Sequence, residues 1–137
     1  MPGVQSRATT TEAQAIWLAG GDWEPVLRRA LSIALENALE SDAGLAYTNL
    51  HELNCADRAY ASADPYFHDG VAYREDHDLL TFYTCLRGVR TSSLERLGHW
   101  DESVRLAEAV LAVVASPVNR MIPMTSLAKI AARRGDP

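Results

Sequence analysis

Lysine is almost missing from this chain: Lys129 stands alone beside twelve arginines, and acids outnumber bases to leave a formal net charge of −5. Such a balance excludes a general nucleic-acid coat, which needs a basic surface to displace counterions. Cysteine is nearly as scarce. Cys55 and Cys85 stand 30 residues apart with no CxxC or Cys/His spacing around them, which excludes a zinc finger and a disulfide framework and leaves two reduced core thiols. No apolar run reaches the ~18–20 residues that cross a bilayer. The longest, Val104 to Val114, is broken by Arg105 and Glu108, and the opening Met1-Pro2-Gly3-Val4-Gln5-Ser6-Arg7 lacks the apolar centre of a signal peptide. A cytoplasmic location without membrane contact is the expectation. Period-two alternation and hairpin turns are also lacking, so nothing argues for strands. Asp69-Gly70 reads as part of a helix, with Gly70 at a close helix contact.

What is present is helical. The 137 residues suffice for one domain with a core, read as a flexible lead-in over 1–8 and a single helical domain over 9–137. Thr9 and Glu12 are spaced as a capping box, and Gly20-Gly21 should stop the first helix. Asp22 is placed to cap a second helix with Pro25 in its first turn. Trp23, Val26, Leu27, Ala30, Leu31, Ala34, Leu35 and Ala38 then recur at three- and four-residue steps. A third helix follows from Ser41 or Asp42 to about Arg58, and a fourth from near Ser62–Pro65 to about Asp76. A fifth is capped by Asp78 and spans Leu79 to Leu97, ending at Gly98. A sixth is capped by Asp101, and a seventh runs from Ser116-Pro117 to Arg133-Arg134-Gly135.

The spacing of the turns carries more than their number. Trp23, Tyr60 and Trp100 each follow a tight turn and precede the second helix of a pair, at intervals of 37 and 40 residues, and Gly135 repeats Gly98 after another 37. A period of this length with two helices per unit predicts a helical-hairpin solenoid: a right-handed stack of three hairpins plus a capping helix.

Four stretches match one known family. They are Gly44-Leu45-Ala46-Tyr47-Thr48-Asn49-Leu50; Asp69-Gly70-Val71-Ala72-Tyr73 with Glu75-Asp76-His77-Asp78-Leu79 after it; Trp100-Asp101-Glu102 through Leu106-Ala107-Glu108-Ala109-Val110-Leu111; and Ala131-Ala132-Arg133-Arg134-Gly135-Asp136-Pro137. Together they resemble the tetratricopeptide-like region of large bacterial ATP-binding regulators of the LuxR and MalT type, over most of residues 20–137. In that family the repeats lie between a nucleotide-binding domain and a helix-turn-helix, and they sense ligands or contact partners. Neither flanking domain is recognisable. There is no GxxxxGK[ST] loop, so ATP hydrolysis is not implied, and the basic end from Lys129 to Arg134 has no second helix to make a DNA-binding pair. The chain reads as a free-standing piece of such a regulator whose seventh helix is a lone cap.

The resemblance also places a binding face, because in such arrays the first helix of each pair lines the concave side. Tyr47, His51 and Asn54 share one face of the third helix, and Tyr83, Arg87 and Arg90 repeat that spacing 36 residues on in the fifth. Projection by one period adds Trp17 before them and Arg120 after them. Relatives usually carry an aliphatic residue where Asn54 stands, and again near Arg87 and Ser93, which implies a cavity put to use. Aromatic, imidazole, amide and guanidinium groups together suit a small organic anion or a peptide.

Three functions follow as expectations, none needing a metal or other cofactor. The first is a ligand- or partner-binding module, regulatory or not, using that groove. The second is a small cofactor-independent enzyme of cyclase, isomerase or hydrolase type in the same groove. There His51 or Tyr47 would move a proton, Asn54 would orient the substrate, and Arg87 or Arg90 would stabilise negative charge. The third is a structural adaptor that forms a homodimer through its last helix, with Ile122 and Leu127 as its apolar contacts. The other histidines read as local: His77 as a cap, His99 as an exposed turn residue, and His68 as pointing away from Asp69 on its helix.

Overall fold

The structure, a computed structural model, describes residues 1–77, 79–113 and 116–136. Seven helices follow one another, and no strand occurs among the described residues: α1 (Pro2–Leu18), α2 (Glu24–Glu36), α3 (Glu40–Ala56), α4 (Tyr60–Asp76), α5 (Leu80–Leu97), α6 (Trp100–Val113) and α7 (Pro117–Arg134). The expected caps at Asp22 and Asp101 are replaced by neighbours. Trp23 is the N-cap of α2, and Asp101 lies inside the first turn of α6, where its charge complements the helix dipole. The expected cap at Asp78 and the final Pro137 lie outside the described residues.

The largest difference from the sequence reading is at the start. α1 begins at Pro2 rather than at Thr9, so residues 2–8, read as a flexible lead-in, are helical. Proline fits the first turn, where no amide donor is required. The polar residues that hid this helix point inward. Ser6 is fully buried and donates its hydroxyl to the Ala30 carbonyl of α2 at 3.2 Å, and buried Thr10 donates to the Ser6 carbonyl at 3.0 Å.

Five helix ends close in the same way. Gly20, Ala38, Arg58, Gly98 and Gly135 each adopt a positive φ of 51–82°. The residue after each donates its amide to a carbonyl five positions back: Gly21 to Ile16, Leu39 to Ala34, Ala59 to Asn54, His99 to Leu94 and Asp136 to Ala131, at 2.8–3.0 Å. This Schellman closure satisfies carbonyls that the helix leaves open and turns the chain back on itself.

The chain divides into two compact units, Met1–Phe82 and Tyr83–Pro137. In the first, α1 packs on α2, α2 on α3, and α3 on α4, with α1 also reaching α3. Its apolar centre is Ala13, Trp23, Leu27, Ala30, Leu50 and Leu53, flanked by Ile16, Trp17 and Tyr66. Burying Leu27 and Leu50 contributes about 1.5–3 kcal/mol each. α3 lies between α2 and α4 and buries eleven of its seventeen residues, so its polar side chains are drawn into the interior. Arg74 of α4 is one of the most enclosed residues. Its guanidinium donates to the Gly44 carbonyl and the Thr48 hydroxyl of α3 and lies 5.4 Å from the centre of the Phe82 ring. That ring stands 3.4 Å from where a Cβ of Gly44 would sit, so glycine lets the ring close over the helix.

In the second unit α6 packs on α7, and hydroxyls tie both to α5. Ser103 donates to the Thr91 carbonyl at 2.8 Å, and the Thr91 and Ser126 hydroxyls are 3.2 Å apart. Pro123 of α7 sits over Gly88 of α5, its Cδ 3.6 Å from the position of an added Cβ. Buried Glu95 pairs with Arg133, and Arg134 pairs with Asp101 at 2.6 Å, so α7 is bound to both neighbouring helices.

Of the five helix stops, two are filled by residues with a Cβ, which costs about 1–2 kcal/mol in the left-handed region. Arg58 is exposed, and the backbone bonds that close its turn do not involve its side chain. Arg58→Gly should therefore stabilise the protein by about 1 kcal/mol and raise its melting temperature by roughly 3–4 °C in a thermal melt followed by circular dichroism.

Candidate functional site

The eight residues expected to line a groove fall four to a unit. In the first unit, Tyr47, His51 and Asn54 do share one face of α3, and that face looks into the hairpin with α4. The Tyr47 ring is 5.7 Å from that of Tyr73, and the His51 ring is 5.7 Å from that of Phe67. His51 is fully buried, with Nε2 3.6 Å from the Cys55 sulfur. Asn54, 3% exposed, donates its amide to the Leu50 carbonyl at 2.9 Å. A substrate could reach His51 only by parting the helices. Tyr47 is half-buried, and burial first, then the Asp69 carboxylate and Tyr73, push its hydroxyl above the ordinary tyrosine range. It stays protonated at neutral pH and is a poor proton acceptor.

Trp17 serves a different purpose. Its indole donates to Oδ1 of Asp57 at 2.8 Å, while Trp23 donates to Oδ2 of the same carboxylate at 3.0 Å. Asp57 is the C-cap of α3, so one side chain joins the end of α1, the start of α2 and the end of α3. Tyr66 adds a parallel tie from α4 to α2, donating to Glu24 at 2.7 Å. Burial, then the hydrogen bond and charge of Glu24, push the Tyr66 hydroxyl up to about 12.

In the second unit Arg87 donates to the Tyr83 hydroxyl at 3.1 Å and lies 5.0 Å from the centre of the Tyr83 ring. Arg90 is half-buried one turn further on, and Arg120 donates to the Leu111 carbonyl of α6 at 3.2 Å. Cys85 is half-buried and Cys55 buried, and the two are not joined in a disulfide. Among the described residues, no three His, Cys, Asp or Glu side chains gather to hold a metal ion, and no helix is long and apolar enough to cross a membrane. A shallow depression of about 280 Å³ opens beside Arg7, Leu39, Glu40 and Asp42 in the first unit, where Arg7 is already bonded to Asp42 at 2.9 Å.

The surface that stands out is on α7. Val118, Met121 and Met124 are 72%, 64% and 52% exposed, and Thr125, Ala128 and Ala132 are exposed beside them. Lys129 is the one charged residue among the exposed positions from Val118 to Ala132, and the Thr125 hydroxyl is turned back to the Met121 carbonyl at 2.8 Å. The outward face of α2, by contrast, carries Arg28, Arg29 and Glu36, as a solvated face ordinarily does. Ile122 and Leu127, expected as the apolar contacts of the last helix, are half-buried on its other sides. The steps Val118, Met121, Thr125, Ala128, Ala132 run three, four, three, four, which is the spacing of a helix–helix seam. That spacing was readable in the sequence; its pairing with the outward face was not.

Comparison with protein-family models, curated proteins and solved structures gave no match.

Two outcomes test the ties of the first unit. Asp57→Ala removes the acceptor of both indoles and should destabilise the protein by about 2 kcal/mol, with tryptophan emission shifting red even below the melting temperature. Tyr66 bears on alkaline stability. The unfolded side chain loses its proton near pH 10, whereas the folded one holds it to about 12. Its contribution is complete below pH 10 and is lost as pH rises through that window. Urea titrations between pH 9.5 and 12 should show stability falling with a shallower slope in Tyr66→Phe than in the wild type.

Proposed function

We propose that this chain is a partner-binding helical module that docks protein through the outward face of α7. One observation carries the reading: a three-four-spaced seam of exposed Val118, Met121, Thr125, Ala128 and Ala132 with almost no charge on it. Exposed apolar faces of this kind mark interaction sites, and methionine, flexible and polarisable, adapts to the surface it meets. The matching partner surface is apolar and helical.

The side chains that would serve chemistry lend indirect support. His51 and Asn54 are enclosed, and Arg87 is held on Tyr83. A groove for an organic anion, or an active site built on His51, has correspondingly less to work with. The likeness to the tetratricopeptide-like region of LuxR- and MalT-type regulators supports a binding role, since in that family the repeats sense ligands or contact partners. A solenoid arrangement and a regulatory, cytoplasmic setting belong to the proposal on that ground alone.

The test is a display library of helical peptides selected on the wild-type protein and then measured against Met124→Glu and Ala128→Glu. Both positions are exposed, so both variants should keep the wild-type melting temperature. Selected peptides should carry an apolar stripe and lose at least tenfold in affinity, about 1.4 kcal/mol, on either variant. Peptides that bind both variants as tightly as the wild type would place docking elsewhere.

A further inference from the structure

The α7 face is self-complementary, and we infer that its partner is a second copy of this chain, packed antiparallel along α7 about a two-fold axis near Thr125. The inference rests on the docking role proposed for that face. Of three features, size selects this occupant, charge its direction and reach its strength.

The first is size. Along the seam the bulky side chains, Val118, Met121 and Met124, occupy the amino-terminal half, and the small ones, Thr125, Ala128 and Ala132, the carboxy-terminal half. An antiparallel two-fold lays the bulky half of one helix along the small half of the other, in both directions at once. A parallel pair would set bulk against bulk and leave a gap between the alanines. Closed two-fold contacts require this property, because one patch must fit its own image.

The second is charge. Each copy has a net charge of −5, so most approaches of two copies are repulsive. α7 itself holds Arg120, Lys129, Arg133 and Arg134 and no acid, so two copies of it also carry like charge. The acidic partners of Arg133 and Arg134, Glu95 and Asp101, belong to the same copy. Within the seam, Lys129 is thus the charge whose placement the register decides. The antiparallel register sets Lys129 beside the partner's Met121, where its aliphatic stem covers the thioether and its ammonium stays in water. The parallel register would set Lys129 against Lys129.

The third is reach. From Val118 to Ala132 the seam is about 21 Å long at 1.5 Å per residue. One helix of that length falls short of the ~800 Å² per partner of a standard interface. The dimer is accordingly weak, with a dissociation constant in the micromolar range, and forms and parts with concentration.

The experiment combines sedimentation with single-cysteine cross-linking on the full chain. The wild type should pass from monomer at about 1 μM to dimer at about 200 μM. Thr125→Cys should cross-link to a covalent dimer under mild oxidation, because the residue nearest the axis approaches its own copy within disulfide range. Ala132→Cys, far from the axis in an antiparallel pair, should remain monomeric on a denaturing gel, as should the wild type with Cys55 and Cys85. Thr125→Asp places two like charges on the axis and should stay monomeric at the highest concentration with an unchanged melting temperature. A wild type that stays monomeric throughout overturns the inference, and peptide binding that survives in the same protein would leave the docking role standing. Equal cross-linking of Thr125→Cys and Ala132→Cys overturns the antiparallel arrangement.

Discussion

Each of five helices in this chain ends on one residue turned into the left-handed region, and the rest of the first unit is arranged around those stops. The closure after Asp57 shows how. With Arg58 at a φ of 61° the chain reverses, the Ala59 amide returns to the Asn54 carbonyl, and Asp57 is left facing out beside the turn. There its carboxylate meets two indoles that arrive from a second closure, Trp17 just before Gly20 and Trp23 just after it. Two turns of identical geometry, about two helices apart, are thereby joined by one charged acceptor. Trp23, Tyr60 and Trp100 each lie two or three residues beyond such a stop, at Gly20, Arg58 and Gly98.

Placing α3 between α2 and α4 has a cost that the sequence meets with polar side chains turned onto the backbone. Thr48 donates to Gly44, Asn54 to Leu50, and Arg74 reaches in from α4 to the Gly44 carbonyl and the Thr48 hydroxyl. Buried polar groups are tolerated when they are hydrogen-bonded, and these bonds turn Thr48, Asn54 and one nitrogen of Arg74 onto α3. The polar stripe of Tyr47, His51 and Asn54 is best understood in that light, as interior polarity of a helix covered on two sides.

The helices and most of their ends could be read from the sequence because they depend on local signals. Glycines at 20, 98 and 135 mark stops, Pro25 and Pro117 mark starts, and the apolar stripe of α2 returns as buried Leu27, Ala30 and Ala34. Ala38 and Arg58 carry no such signal, because nothing local distinguishes an alanine or arginine forced left-handed by what packs around it. The start of α1 was missed for a related reason: Ser6, Thr9 and Thr10 look like solvent-facing residues until α2 covers them. The candidate site depended on direction. Spacing places Tyr47, His51 and Asn54 on one face, but only the neighbouring helices decide whether that face looks inward or outward.

The same distinction, applied to α7, yields the opposite result. Its inward face is fully explained by Pro123 over Gly88, the Ser126–Thr91 contact and Ile130, and its basic end by Glu95 and Asp101. None of these contacts asks for Val118, Met121 or Met124, so their presence outside is not a by-product of packing within the unit. Nor does an exposed helix face ordinarily show three, since α2 and α6 expose one large apolar side chain each, Leu35 and Val113, among arginine, aspartate and glutamate. An apolar face that neither the core nor the solvent requires is explained by a third surface. The gradient from bulky to small along it narrows the choice to a partner with the reverse gradient, which an antiparallel copy of the same helix has by symmetry.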